Sequence, residues 1–215
     1  EALFTAATRM AQAVNLRGVA TFEFLVDKGG KNFFFLETNP RLQVEHTCTE
    51  MVRGVDIVAL QLQLAGGAKL DALDLGGPET GYAVQVRINA ERVHQDGLVS
   101  AGVGTLTRFD LANGPGVRVD SAAYTGYPVT GNYDSLLAKL IVHSKSDSLD
   151  AALARTRRAL DECVVEGCDT SLELTRSILS RPELLNSTFH TRMVDDNLSE
   201  LLPVDTERAR QDTPV

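Results

Sequence analysis

Leu3, Ala6, Ala7, Met10, Ala11 and Val14 recur at helical spacing and predict an amphipathic helix over 2–15. Two runs rich in aromatic and β-branched residues follow, 19–27 and 33–39, joined by Lys28-Gly29-Gly30-Lys31-Asn32. Strand-like runs linked by a short Gly-containing polar loop predict a β-hairpin. Thr47 and Glu50 have the spacing of a capping box, and Gly54 interrupts the helix they would open. Asp56 offers a fresh N-cap for an apolar run through Leu64 that ends at Gly66-Gly67. Residues 67–80 read as a connection, with a boundary near residue 77.

Beyond that boundary the period changes from helical to twofold. Tyr82, Val84, Val86 and Ile88 alternate with Ala83, Gln85, Arg87 and Asn89, which predicts a strand, and further strands are expected over 104–109, 117–120 and 136–143. Asn113-Gly114-Pro115-Gly116 and Thr130-Gly131-Asn132 punctuate them. Ser148 is placed to cap a helix reaching about residue 163, and Asp169 or Thr170 to begin another that stops before Pro182. Six acids, two arginines and two prolines over 195–215 predict a linker or frayed tail. The expected class is α+β, with domains over 1–76 and 77–198 and a tail over 199–215. Glu1 is not a methionine and the chain opens inside a helix, so a longer parent protein is expected, with no targeting segment in view.

Composition narrows the function. The 215 residues are 43% hydrophobic and 23% charged, enough apolar content for a packed core. A formal net charge of −8 discourages a nucleic-acid binder, because phosphate recognition is usually carried by a basic surface. Half of that excess falls in 195–215. No apolar run approaches the roughly 18 residues of a membrane span. Cys48, Cys163 and Cys168 are odd in number and form no C-x-x-C pair, which favours a reducing compartment and a cytoplasmic protein.

The informative segment runs from Phe35 to His46. Glu37, Asn39, Arg41, Gln43 and Glu45 occupy successive odd positions, and in an extended chain residues two apart share a face. If 28–32 is the hairpin loop, Asp27 pairs with Phe33, Leu25 with Phe35 and Glu23 with Glu37. Opposed carboxylates repel and call for a cation between them. Glu23, Glu37 and Asn39 offer oxygen ligands only, the donor set of a hard ion such as Mg²⁺ that shares its shell with substrate phosphates. Arg41 presents a planar fork for a small oxyanion, Gln43 can add a donor, and Glu45 is placed to accept a proton. A solvated polar face, or salt bridges worth about 0–1 kcal/mol each, would give the same alternation.

The segment Glu37-Thr38-Asn39-Pro40-Arg41-Leu42-Gln43-Val44-Glu45-His46-Thr47, with Thr49-Glu50 after it and Thr21-Phe22-Glu23-Phe24 before it, resembles the signature of biotin carboxylases in the ATP-grasp superfamily. The resemblance continues through Gly54-Val55-Asp56, Arg87-Ile88-Asn89-Ala90-Glu91, Gly116-Val117-Arg118, Tyr133-Asp134-Ser135 with Lys139, and Gly167 with Thr170. It covers the chain to about residue 198. It implies the C-terminal half of an ATP-grasp domain followed by the biotin carboxylase C-terminal domain. Carried over by position, Glu23 and Glu37 bind ATP and, with Asn39, Mg²⁺ or Mn²⁺. Arg41, Gln43 and the backbone of Val44 hold bicarbonate, Glu45 deprotonates it, and Arg87 stabilises the enolate of the biotin ureido ring.

The implied partners are a biotin carboxyl carrier domain, a carboxyltransferase component and the N-terminal half with its glycine-rich ATP lid, in a homodimer or higher oligomer. The isolated chain is then expected to be inactive. The final carboxyl acceptor (acetyl-CoA, another acyl-CoA, pyruvate or urea) is not specified. Two departures from the family wording stand out, Cys48 and the stretch 93–103. His46 is expected to orient the strand-to-helix turn. Arg155, Arg157 and Arg158 are expected on a solvated or partner-facing helix surface. A non-catalytic dimerisation or docking module is the alternative of a different class, and a biotin-independent ATP-grasp carboxylase or carbamoyl-transfer relative is the alternative enzyme.

Overall fold

A computed structural model describes residues 1–202. The chain divides into two units, Glu1–Glu79 and Thr80–Val215. In the first, α1 (Ala2–Ala13) precedes a hairpin of β1 (Thr21–Val26) and β2 (Phe33–Asn39), then α2 (His46–Arg53) and α3 (Ile57–Ala65). Gly54 closes α2 in the left-handed conformation, at φ 69°, which a residue with a Cβ adopts only with strain. The Asp56 side chain accepts a 2.8 Å hydrogen bond from Ala59 N and caps α3, as its spacing predicts.

Three expectations for this unit change. The hairpin pairs Val26 with Phe33, Leu25 with Phe34 and Phe24 with Phe35, one residue away from the predicted register. A β-bulge at Leu36 then restores Glu23 opposite Glu37. The bulge puts Phe35 on the face of Phe24, where the rings meet edge-on at 6.0 Å, and keeps both off the carboxylate face. Second, β2 stops at Asn39, so Arg41, Gln43 and Glu45 do not share its face. Pro40 has no N–H to continue the ladder, and Arg41 N turns back onto Asn39 O at 2.9 Å. Third, Thr47 and Glu50 make no capping box: α2 starts at His46 with Glu45 at the N-cap. Both side chains are buried, and Glu50 Oε1 accepts from Ile57 N at 2.7 Å, tying α2 to the first turn of α3.

The second unit is built on β3 (Tyr82–Asn89), β8 (Val117–Ser121) and β10 (Leu136–Ser144), an antiparallel sheet in the order β3-β10-β8. Shorter strands β4 (Glu91–Val93) with β5 (Val99–Ala101), and β6 (Gly104–Thr105) with β9 (Pro128–Val129), form separate two-stranded pieces. β7 (Arg108–Asp110) pairs with β11 (Val164–Glu166). The single strand expected over 104–109 is therefore two, which join different partners on either side of the fully buried Leu106. Val86, Ile88, Leu140 and Val142 form one core with Leu153, Ala159 and Leu160 of α4 (Leu149–Asp161) and with α5 (Leu172–Leu179). Arg176 of α5 donates to Leu160 O at 2.6 Å and Cys163 O at 2.8 Å, satisfying carbonyls at the C-terminal end of α4.

The chain stays packed past residue 195. After α6 (Pro182–Leu185), α7 (Met193–Asp196) and α8 (Leu198–Leu201) bury Met193 and Leu201, and Arg181 binds Asn197 at 2.9 Å and Glu200 at 2.7 Å. The tail expected over 195–215 is thus folded through 202, and its remainder lies outside the described residues. Arg155 is also corrected: it is no free surface group but donates to His143 O at 3.0 Å and Pro115 O at 2.7 Å, stapling α4 to the sheet.

Arg87, Lys139 and Asp120 sit in one register across β3, β10 and β8. Lys139 Nζ meets Asp120 Oδ2 at 3.2 Å and Arg118 Nε donates to Asp120 Oδ1 at 2.8 Å. Burial acts to raise the Asp120 pKa, but the hydrogen bonds and charges of Arg118 and Lys139 outweigh it and hold the carboxyl below its ordinary value. A depressed folded pKa contributes stability that is present above the unfolded value near 4 and lost as pH falls through the folded one. Thermal unfolding of Asp120→Asn followed against pH is therefore expected to show lower stability at neutral pH, with the gap to the parent closing in acid.

Candidate active site

The site begins where the bulge returns the hairpin to register. Glu23 and Glu37 stand opposite each other, and Asn39 Nδ2 donates to both, at 3.0 Å to Glu23 Oε1 and 2.8 Å to Glu37 Oε1. The amide N–H₂ group bridges the two carboxylates through hydrogen bonds but leaves their charge in place. On its other side Asn39 Oδ1 faces Arg41 Nη2 at 3.5 Å, and Arg41 Nη1 reaches Leu42 O at 3.3 Å. Glu23, Glu37 and Arg41 thus converge on one side chain, Asn39. Alternation placed them on a face but did not show the amide as their hub.

Gln43, Val44 and Glu45 lie in the turn that leads into α2. That turn is fixed from His46, whose Nδ1 lies 2.6 Å from Gln43 O while its backbone N donates to the same oxygen at 3.2 Å. His46 orients the strand-to-helix passage, as expected. Glu45, exposed at the N-cap, ends the turn with its carboxylate accessible to solvent.

The donor set is two carboxylates and one amide. Among the described residues no group of three or more His, Cys, Asp and Glu side chains is placed to hold a metal. Two carboxylates on one face fit Mg²⁺, which takes one or two of them and completes its octahedron with water and phosphate oxygens. Ligation through Asn39 Oδ1 requires the amide to turn over, since Nδ2 is the atom facing both carboxylates.

Arg87 belongs to the second unit and is exposed on β3. Two of that unit's motifs meet beside it: Ala90 N donates to Ser135 O at 2.7 Å, the Ser135 hydroxyl donates to the Glu91 carboxylate, and Asn89 Nδ2 reaches Glu91 Oε2 at 3.3 Å. Glu91 and Ser135 carry no role legible in the sequence, because their contact spans 44 residues.

The family described as "Biotin carboxylase C-terminal domain" matches residues 85–196. This chain belongs to the biotin carboxylase family. Residues 1–73 match the family described as "Carbamoyl-phosphate synthase L chain, ATP binding domain". Biotin carboxylase 1 of Bacillus subtilis is 37% identical over 195 residues, covering 91% of this chain and 42% of that protein. The chain therefore spans about two fifths of the length of this curated relative.

Among solved structures, a single-chain, multi-domain long-chain acyl-CoA carboxylase superposes with a TM-score of 0.88 at 44% identity, over 93% of this chain and 22% of that one. The biotin carboxylase domain dimer of Hydrogenobacter thermophilus 2-oxoglutarate carboxylase, solved with MgADP, ADP and bicarbonate, gives 0.82 at 34% identity, over 91% and 42%. The fold is thus that of ATP-grasp biotin carboxylase domains, mixing helices with antiparallel strands. Among the described residues no helix is long and apolar enough to cross a membrane.

Proposed function

We propose that the complete protein uses Mg-ATP and bicarbonate to carboxylate biotin on a carrier domain, as the biotin carboxylase part of an acyl-CoA, pyruvate or urea carboxylase. The observation that carries this reading is the convergence of Glu23, Glu37 and Arg41 on Asn39. It supports a site for a divalent cation beside a fork for a small oxyanion, which is the pairing that phosphorylation of bicarbonate needs. The match of residues 1–73 to an ATP-binding family and the MgADP and bicarbonate in the Hydrogenobacter relative support it.

In this reading Glu23, Glu37 and Asn39 hold the metal. Mg²⁺ would neutralise charge on the transferring phosphoryl group. Arg41, with Gln43 and the backbone of Val44, holds bicarbonate through paired hydrogen bonds. Glu45 takes its proton, the resulting oxyanion attacks the γ-phosphorus, ADP leaves, and carboxyphosphate forms. Catalysis here is mostly positioning and electrostatics. The ureido N–H then gives its proton to the departing phosphate as the ureido nitrogen bonds to the carboxyl carbon, and Arg87 stabilises the enolate on the way, as a fixed cation beside developing negative charge. The domains would run over 1–76 and 77–198, the carboxyltransferase component would be a partner, and the enzyme would work as a homodimer or larger assembly in the cytoplasm.

The hairpin exposes Leu25, Val26, Phe34, Phe35 and Leu36, an apolar surface that supports its being covered in the complete protein by the half this chain lacks relative to its relatives. The purified 215-residue chain is then expected to show no bicarbonate-dependent ATP cleavage, measured as phosphate release. A rate typical of complete enzymes would sink the fragment reading. In the complete enzyme, Glu23→Gln and Glu37→Gln are each expected to raise the Mg²⁺ concentration needed for half-maximal turnover by about tenfold, as one charged ligand is lost. Metal titrations that superpose on the parent would refute the opposed-carboxylate site.

A further inference from the structure

Arg87 is carried by an edge strand. Among the described residues β3 pairs with β10 alone, which leaves the outer edge of its last residues without a strand partner. That edge is met by one residue from the start of α5, 84 positions away in sequence from Arg87. Ser171 N donates to Asn89 O at 2.9 Å, Asn89 N donates to Ser171 Oγ at 3.0 Å, and Ser171 Oγ donates to Arg87 O at 3.3 Å. Ser171 behaves as a one-residue strand with a hydroxyl that both accepts and donates.

Ser171 is the N-cap of α5, where a serine oxygen ordinarily accepts from the backbone N–H of the second or third helical residue. Here the side chain makes no capping bond to its own helix. Its hydrogen bonding is given to the strand instead. The Asn89 side chain offers no substitute: its Nδ2 is turned to Glu91, and its buried Oδ1 has no partner among the described residues. Ser171 is itself pinned, since Thr175 Oγ1 donates to Ser171 O at 2.9 Å.

We propose that Ser171 is a positioning residue for Arg87. Its hydroxyl locks the backbone from Arg87 to Asn89, so that an exposed guanidinium on an otherwise open sheet edge is held where negative charge develops. The proposal rests on the reading that Arg87 stabilises the biotin enolate. Electrostatic stabilisation depends on a charge that does not reorganise during the reaction, and a misplacement of about 1 Å can cost up to about a hundredfold in rate.

The test uses the complete carboxylase, with two reactions measured side by side: biotin carboxylation, and bicarbonate-dependent ATP cleavage without biotin. Ser171→Ala is expected to lower kcat for biotin carboxylation by about tenfold, with a smaller change in KM for biotin and unchanged ATP cleavage. Ser171→Thr keeps a donor and acceptor at the same place and is expected to restore most of the loss. Should Ser171→Ala fail to fold, Ser171→Asp carries the test with the same expectation for biotin carboxylation, because it caps α5 well but cannot donate to Arg87 O. Unchanged biotin carboxylation, equal loss in both reactions, or no rescue by threonine overturns the proposal. Arg87→Ala run alongside separates the two levels. Its normal turnover would refute the Arg87 reading and the clamp together, whereas its loss beside an unaffected Ser171→Ala would refute the clamp alone.

Discussion

In the complete carboxylase, Arg41→Ala is expected to lower bicarbonate-dependent ATP cleavage and biotin carboxylation by about a hundredfold or more, with the unfolding temperature and the assembly state unchanged. The split follows from where Arg41 sits. It is exposed, and its hydrogen bonds to Leu42 O and Asn39 Oδ1 are long, at 3.3 and 3.5 Å, so removing it costs the fold little. What is lost is an exposed planar guanidinium beside the carboxylate pair, a group that in the proposed reaction would hold an oxyanion through two parallel bonds. Arg41→Lys keeps the charge without the fork and is expected to recover only a small part of the rate. Phosphate release against bicarbonate concentration measures both variants. Full turnover in Arg41→Ala would leave the non-catalytic docking module as the better account of this chain.

The largest effect on stability is expected at the centre of the second unit. Leu140 has no exposed surface and lies on the middle strand of the sheet, in register with Val86 on one side and Val119 on the other. Leu140→Ala removes buried methyl groups where strands on both sides prevent collapse into the space, and a cost of about 2–5 kcal/mol is expected. Denaturant unfolding of the chain, followed by far-ultraviolet circular dichroism, reads the loss. A change below about 1 kcal/mol would mean that the core is organised around other residues.

How much of the site was legible depended on how local its causes are. Asp56 capped α3, and His46 braced the turn, because each acts on backbone within three residues of itself. Glu23 opposite Glu37 was also legible, although by a register that is wrong nearer the loop: the bulge at Leu36 corrects it. A one-residue insertion leaves no periodic trace when Phe33, Phe34, Phe35 and Leu36 are all apolar. Extending the strand to Glu45 failed at Pro40, where the missing N–H ends the ladder whatever the side-chain alternation says. Glu50 was misassigned for a related reason, since its carboxylate serves the next helix rather than its own.

By itself the sequence determined the hairpin, the helices with local caps, the family signature and the residue types able to hold a cation and an oxyanion. These follow from spacing, charge and the short reach of turns and caps. Only the tertiary structure decided that Asn39 joins both carboxylates to Arg41, that Glu91 meets Ser135, and that Ser171 closes the edge of the strand carrying Arg87. Those contacts are set by strand register and by the packing of α4 and α5 on the sheet. In the second unit such packing brings Glu91 to Ser135 and Ser171 to Arg87, 44 and 84 positions apart, whereas in the first the hairpin register brings Glu23 to Asn39.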